Sequence, residues 1–254
     1  MTQLQLLTVP EPAQPQGIDL RCCSVADLLA DMPAPPSLII ADPPWHYSQA
    51  PGHSANPDNH YEPMTDNEIA RVLDLAWDVM DRGRLAVWCT WPKLDQWYAA
   101  KAAGRWRWRY VSGGSWHKKG GNAGTGYHWL GGSELVTLYT KGTGLCTEWG
   151  PLQNAHESER QKHSEKPVDW MAQWIERWTE PGDLVLDLFA GMAPVARACA
   201  RTGRRYVGAE IDPERYRQAV DRLALDGVRG AARPKCWQRR RRGRLWRSYE
   251  RNTR

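Results

Sequence analysis

The sequence predicts an α/β protein, with a mostly parallel sheet and helices on both of its faces. Three observations carry that expectation. Short apolar runs of strand length alternate with amphipathic helical segments along most of the chain. Two of those runs flank a tight small-residue turn and a helix, making a strand–turn–helix–strand unit. The 254 residues are 41% apolar and 25% charged, which suits a globular domain of ordinary size.

Residues 1–17 hold three Pro and four Gln with little periodicity, a composition that predicts a flexible leader. A strand is expected over 18–23, then a helix over 24–32 with Val25, Leu28 and Leu29 on one face. The run Ser37-Leu38-Ile39-Ile40-Ala41 reads as a strand stopped by two prolines. Thr65-Asp66-Asn67-Glu68 forms a capping box, in which the Thr oxygen takes a free amide and the Glu reaches back. It opens a helix with Ile69, Val72, Leu73, Ala76 and Val79 on its apolar side, ending near Gly83.

A strand over 85–90, a helix over 94–103 and strands around 106–116 and 134–140 follow, the last two separated by a Gly-rich loop, 117–132. The segment 166–178 is helical, and its stripe of Trp170, Trp174, Ile175 and Trp178 has the spacing of a core face. A Pro-Gly-Asp turn at 181–183 leads to a strand over 184–189 and a helix from about Pro194. A strand over 205–211 and a helix from Pro213 close the domain, set at residues 18–226. Residues 227–254 form a basic tail.

No apolar run approaches the roughly 20 residues needed to span a bilayer, and the N-terminus lacks a basic start followed by an apolar stretch. Neither a membrane nor a secreted protein is therefore expected. The six cysteines contain no C-x-x-C pair, which argues against a disulfide framework or a cysteine zinc site and fits a reducing cytoplasm. Fifteen Trp against one Phe indicate that Trp replaces Phe in the core, so abundance alone marks no Trp as a base-stacking residue. The net charge of +5 is uneven: eleven Lys or Arg and one acid lie from Gly227 onward, whereas the remainder carries 23 basic and 28 acidic residues.

Two stretches carry chemistry. The first, Asp42-Pro43-Pro44-Trp45, follows an apolar strand. Its prolines fix φ, remove amide donors and hold their preceding residues extended. Asp42 presents a carboxylate and Pro43 a carbonyl, two acceptors suited to a planar –NH₂ group, and Trp45 offers a flat surface for a ring. The second is the strand 184–189 with the turn Ala190-Gly191, then Pro194 at a first helical position and Glu210 near the end of the next strand. Ala190 and Gly191 permit close approach to the backbone, and Glu210 is placed to accept both hydroxyls of a ribose. A nucleoside-bearing cofactor fits this pattern. Neither G-x-G-x-x-G nor a phosphate-loop motif occurs, so S-adenosylmethionine, which has no phosphate, fits better than a dinucleotide.

Together, D-P-P-W and D-x-F-x-G resemble the amino-methyltransferases that methylate exocyclic amines of nucleobases. The acidic motif comes first, as in their permuted, beta-type order. More closely, the chain resembles the family of the catalytic subunit of the eukaryotic mRNA adenosine methyltransferase and its bacterial and phage relatives. The matching residues include Asp42-Pro43-Pro44-Trp45, His60-Tyr61, Met64-Thr65 with Glu68, 85–90, Trp116-His117-Lys118, 125–130 with Glu134, Lys141-Gly142, and His163-Ser164-Glu165-Lys166-Pro167. The likeness spans roughly residues 18–225.

The resemblance implies a Rossmann-like, S-adenosylmethionine-dependent methyltransferase fold. Its expected activity is DNA adenine-N6 methylation, since cytosine-N4 enzymes usually carry Ser in place of Asp42. It further implies that Asp42 and the Pro43 carbonyl grip the amine in a corner stiffened by Pro44, that Tyr61 and Trp45 pack on adenine, and that Lys166 holds the cofactor or the reacting centre. Asp187, Phe189, Ala190, Gly191 and Glu210 are expected to line the cofactor pocket. Lys118, Lys119, His128 and Glu134 are expected to meet nucleic acid, in or beside a target-recognition loop near 117–132. No metal is expected, and His46, His53 and His60 read as solvated. Two departures stand out: Ala193 replaces a Gly common in relatives, and Ser24 stands where an Asp is frequent. An RNA adenosine methyltransferase and a catalytically silent nucleic-acid-binding relative are the rival readings.

Overall fold

The computed structural model describes residues 17–47, 63–104, 106–120, 131–143, 152–159, 165–228 and 231–233. In chain order the elements are β1 (Ile18–Cys22), α1 (Val25–Ala30), β2 (Leu38–Ala41), α2 (Asp66–Leu75), β3 (Gly83–Cys89), α3 (Leu94–Ala103), β4 (Arg109–Lys119) and β5 (Ser133–Lys141). They continue with β6 (Ala155–Glu159), α4 (Val168–Trp178), β7 (Leu184–Asp187), α5 (Pro194–Thr202), β8 (Arg205–Glu210), α6 (Pro213–Leu225) and β9 (Ala231–Arg233).

The strands form one sheet in the order β6-β4-β5-β3-β2-β7-β8-β1-β9. β5 pairs antiparallel with both β3 and β4, and all the remaining neighbours pair parallel. The central pair is β2 and β7. After β2 the chain moves to β3 on one side, and after β7 it moves to β8 on the other. Such a reversal of winding leaves a crevice at the carboxyl ends of the two strands, where open α/β sheets bind ligands.

The helices α1, α2 and α6 begin at side-chain caps, the first at Ser24. Thr65 and Glu68 make the full capping box of α2. Asp212 accepts the Glu214 and Arg215 amides ahead of Pro213, the first residue of α6. Alternate residues of the central strands pack on opposite faces, as period-two side chains must. One face joins Ile40, Trp88, Trp116, Trp170, Trp174, Ile175 and Tyr206; the other joins Ile39, Ile69, Leu73, Val87, Trp97 and Leu186. The Trp stripe of α4 is core: Trp88 lies 5.8 Å from Trp170 and 5.3 Å from Trp174 between ring centroids.

Five boundaries differ from expectation. α2 ends at Leu75 with Ala76 as its cap, well short of Gly83, so Val79 lies outside the helix. α1 is a six-residue helix over Val25–Ala30. α4 begins at Val168 with Pro167 as its cap, leaving Lys166 outside the helix. β4 runs on to Lys119, so Lys118 and Lys119 are strand residues rather than loop residues. β9 pairs with β1 inside the stretch read as basic tail, so the sheet extends past residue 226. The strand β6 had no sequence signal, because Ala155-His156-Glu157-Ser158-Glu159 lacks β-branched and large apolar residues.

Candidate active site

The acidic corner and the small-residue turn are neighbours. Ile40 pairs with Asp187 in register, and the Leu188 amide donates to the Ile40 carbonyl over 3.2 Å. Asp42 and Phe189 therefore leave adjacent strands at the same edge.

Asp42 heads a buried chain of charges. Lys166 Nζ donates to Asp42 Oδ2 at 2.6 Å and lies 3.0 Å from Glu134 Oε2; Glu134 is also paired with Lys118. The Lys166 and Glu134 side chains are nearly inaccessible, whereas the Asp42 side chain keeps 41% of its surface open. The two carboxylates hold Lys166 charged against the cost of its burial. Burial pushes the Asp42 carboxyl up and Glu134 adds repulsion, with Lys166 opposing both. The backbone of the corner is equally fixed. The Trp45 amide donates to the Pro43 carbonyl at 2.9 Å, and the Met64 amide to the Pro44 carbonyl at 2.8 Å. A carbonyl has two lone pairs, so Pro43 retains one acceptor site.

Trp45 departs from its expected role. It is 3% exposed, its indole N–H donates to the Trp88 carbonyl, and its ring meets Trp97 edge-on at 5.6 Å. A buried, tethered indole braces the corner and has no free face for a base. An aromatic on the rim is Trp91, just past β3 and 57% exposed, its N–H held by Ser133 Oγ at 2.9 Å. Tyr47 bonds Thr90 through its hydroxyl, tying the segment after β2 to the segment after β3.

The turn after β7 is pinned by two carboxylates. Asp187 Oδ1 accepts the Phe189 amide at 3.3 Å. Glu210 accepts the Gly191 amide on Oε2 and the Asp212 amide on Oε1, at 2.9 and 2.8 Å. Gly191 (φ 52°) and Ala193 (φ 56°) both take left-handed backbone, which costs an L-residue such as Ala about 1–2 kcal/mol. A Cβ built on Gly191 would meet nothing within 4 Å, so its backbone faces open space. Ala190 is buried and donates its amide to Ala209. Burial pushes the Asp187 carboxyl up to about 7, and burial raises Glu210 as well.

Asp42, Pro43, Pro44, Lys166, Asp187, Phe189, Ala190, Gly191 and Glu210 thus gather around one crevice, and Lys118 and Glu134 reach it through Lys166. Lys166, expected to hold the cofactor or the reacting centre, is paired with Asp42 and Glu134. Lys119 lies apart, paired with Glu157 of β6 at 2.7 Å. Tyr61, His128, His53, His60, the leader and the arginine run lie outside the described residues. Sequence reading named Lys118, Glu134 and Lys166 singly but missed their union with Asp42, because no local pattern joins positions 42, 118, 134 and 166. It also missed Tyr206, whose hydroxyl donates to Asp187 Oδ2 at 3.2 Å; the signal was the two-residue step to Gly208 on one strand face.

A family model described as DNA methylase matches residues 138–221. The chain is 38% identical over 69 residues to the putative methylase YubD of Escherichia coli, which is 27% of this chain and 30% of the relative. The chain thus spans about a third of the length of that curated relative. Among solved structures, the chain is similar to M1.HpyAVI in complex with SAM, with TM-score 0.61, 16% identity, and coverage of 81% of this chain and 99% of that one. It is similar also to PvuII DNA methyltransferase (cytosine-N4-specific), with TM-score 0.62, 14% identity, and coverage of 84% and 88%. At such identities the likeness is one of fold, and the fold is that of these methyltransferases.

Proposed function

We propose that this chain, whose residues 138–221 match a family model described as DNA methylase, transfers a methyl group from S-adenosylmethionine to the exocyclic amine of adenine in DNA. One observation carries the reading: the Asp42-Pro43 corner and the turn 188–191 emerge side by side from β2 and β7. An amine held by the first lies next to a methyl donor held by the second.

The residues present fit the donor. Gly191 faces open space, and Glu210 has spare lone pairs on both oxygens for a pair of ribose hydroxyls. The buried Asp187 and Glu210, with the part-open Asp42, form an acidic surround for a cation, in keeping with the positive charge of a sulfonium. S-adenosylmethionine supplies an electrophilic methyl group whose departure leaves a neutral thioether.

An adenine amine is a weak nucleophile, because its lone pair is shared with the ring. Asp42 and the free lone pair of the Pro43 carbonyl accept its two N–H groups, favouring a pyramidal nitrogen with the lone pair directed outward. The positive charge that develops on nitrogen falls beside the Asp42 carboxylate, and one N–H proton then leaves, through that carboxylate to water, to give the neutral methylamine. Lys166 fixes that carboxylate and Glu134 fixes Lys166, so little reorganisation accompanies the charge; orientation and stabilisation together contribute about several kcal/mol. In a duplex the base must first leave the stack, at a cost of about a few kcal/mol. Asp at position 42 supports adenine. The likeness to a cytosine-N4 enzyme supports the alternative amine, which the same corner can hold.

Asp42→Ala is expected to lower transfer at least a thousandfold while donor affinity, measured calorimetrically, stays within about threefold. Mass spectrometry of hydrolysed DNA after incubation with purified chain separates N6-methyladenine from N4-methylcytosine, and parallel RNA oligonucleotides test the RNA reading. Unchanged turnover by Asp42→Ala removes the mechanism, and absence of methylation by the wild-type chain points to the silent relative.

A further inference from the structure

We propose that Tyr206 is a positioning residue for the methyl donor: its hydroxyl, lodged over Gly208, holds the Asp187 carboxylate against the Phe189 amide and so sets the turn that receives the donor. The inference rests on the donor site assigned above and adds to it a residue that does not itself touch the ligand.

Tyr206, Gly208 and Glu210 occupy alternate positions of β8 and therefore share one face. Gly208 is paired with Asp187 across the β7–β8 ladder. The Tyr206 ring fills the space above Gly208, and a Cβ there would overlap its hydroxyl. Gly208 is thus required for room rather than for backbone conformation, and the room it leaves is occupied by a phenol aimed at a carboxylate. Tyr206 is 1% and Asp187 2% exposed, so water cannot replace the bond between them. With Oδ2 taken by Tyr206 and Oδ1 by the Phe189 amide, the Asp187 carboxylate has one orientation, and the start of the turn has one position.

Among the described residues, the groups facing Asp187 are Tyr206 and Glu210 from β8, Asp42 beyond β2 and Cys199 from α5. None is a cation, so the Tyr206 hydroxyl and the Phe189 amide are what stabilise its charged form. A cationic donor binds better when Asp187 is ionised, and its affinity is expected to rise as pH increases through about 7.

Tyr206→Phe removes one hydroxyl and keeps the ring. The expected result is an upward displacement of the affinity midpoint by about one pH unit, a five- to tenfold weaker dissociation constant for S-adenosylmethionine at pH 7, and convergence with wild type by pH 9. A purely structural role would lower thermal stability without moving that midpoint. The Asp187 carboxyl, followed by ¹³C NMR with Asp187→Asn for assignment, reports the same hydrogen bond with no ligand present. A wild-type chain that fails to bind S-adenosylmethionine overturns the donor site. A carboxyl titration, or a binding midpoint, that Tyr206→Phe leaves in place overturns the role of Tyr206.

Discussion

Single residues divide here by whether their polar atoms are already committed. Trp45 and Trp91 are both tryptophans near the acidic corner, yet they serve opposite ends. Trp45 gives its N–H to a backbone carbonyl in the interior and its ring to Trp97, so it stiffens the corner. Trp91 gives its N–H to Ser133 at the surface, which fixes the ring while leaving its face open. A flat, pre-oriented indole beside the crevice suits a nucleotide base, and stacking of that kind is worth about 1–3 kcal/mol per base. Trp91→Ala is therefore expected to raise the KM for DNA roughly tenfold, with kcat and donor affinity within about twofold of wild type. Trp91→Phe should recover most of the loss. A KM for Trp91→Ala equal to wild type in steady-state assays would place the nucleic acid elsewhere.

Elements are legible in sequence to the degree that their signals are local. The capping box of α2, Asp212 and Pro213 at the start of α6, and the apolar run of β2 all lie within a few consecutive residues, and each formed where expected. The same holds for D-P-P-W and D-x-F-x-G, whose positions at strand ends follow from the strands before them. β6 failed that test: its alternating exposed and half-buried residues pair with the edge of β4, and only the partner defines the strand. The buried charges around Lys166 were equally invisible, since they join residues from distinct strands and loops, and the Tyr206–Asp187 bond left only the step from Tyr206 to Gly208 as a trace.

Arg204 shows how much such a non-local tie contributes. It is buried, and its contacts are the Thr179 hydroxyl and carbonyl at 3.1 and 2.7 Å, with the Glu176 and Thr202 carbonyls nearby. Its charge thus sits on carbonyls that the ends of α4 and α5 leave without helical partners. Arg204→Met strips several charged hydrogen bonds at once, and a loss of about 2–4 kcal/mol is expected from urea denaturation.

At the scale of the molecule, the sheet separates two tasks. Its centre holds the crevice between β2 and β7, and its edge at β9 leads directly into residues 234–254. Charge is divided the same way: the chain before Gly227 carries more acids than bases, while residues 235–254 hold nine Lys or Arg, four of them consecutive from Arg239. An acidic body repels a polyanion at long range, so under the proposed function affinity for DNA must come from positive charge supplied elsewhere. Deleting residues 235–254 leaves β9 intact and is expected to preserve thermal stability and donor binding. If four of the nine cations meet phosphates, the slope of log K against log[salt] should fall by about three to four, with a matching loss of DNA affinity at low salt. A slope identical to that of the full chain, measured by fluorescence anisotropy from 50 to about 300 mM salt, would assign the binding charge to the body and leave the tail solvated.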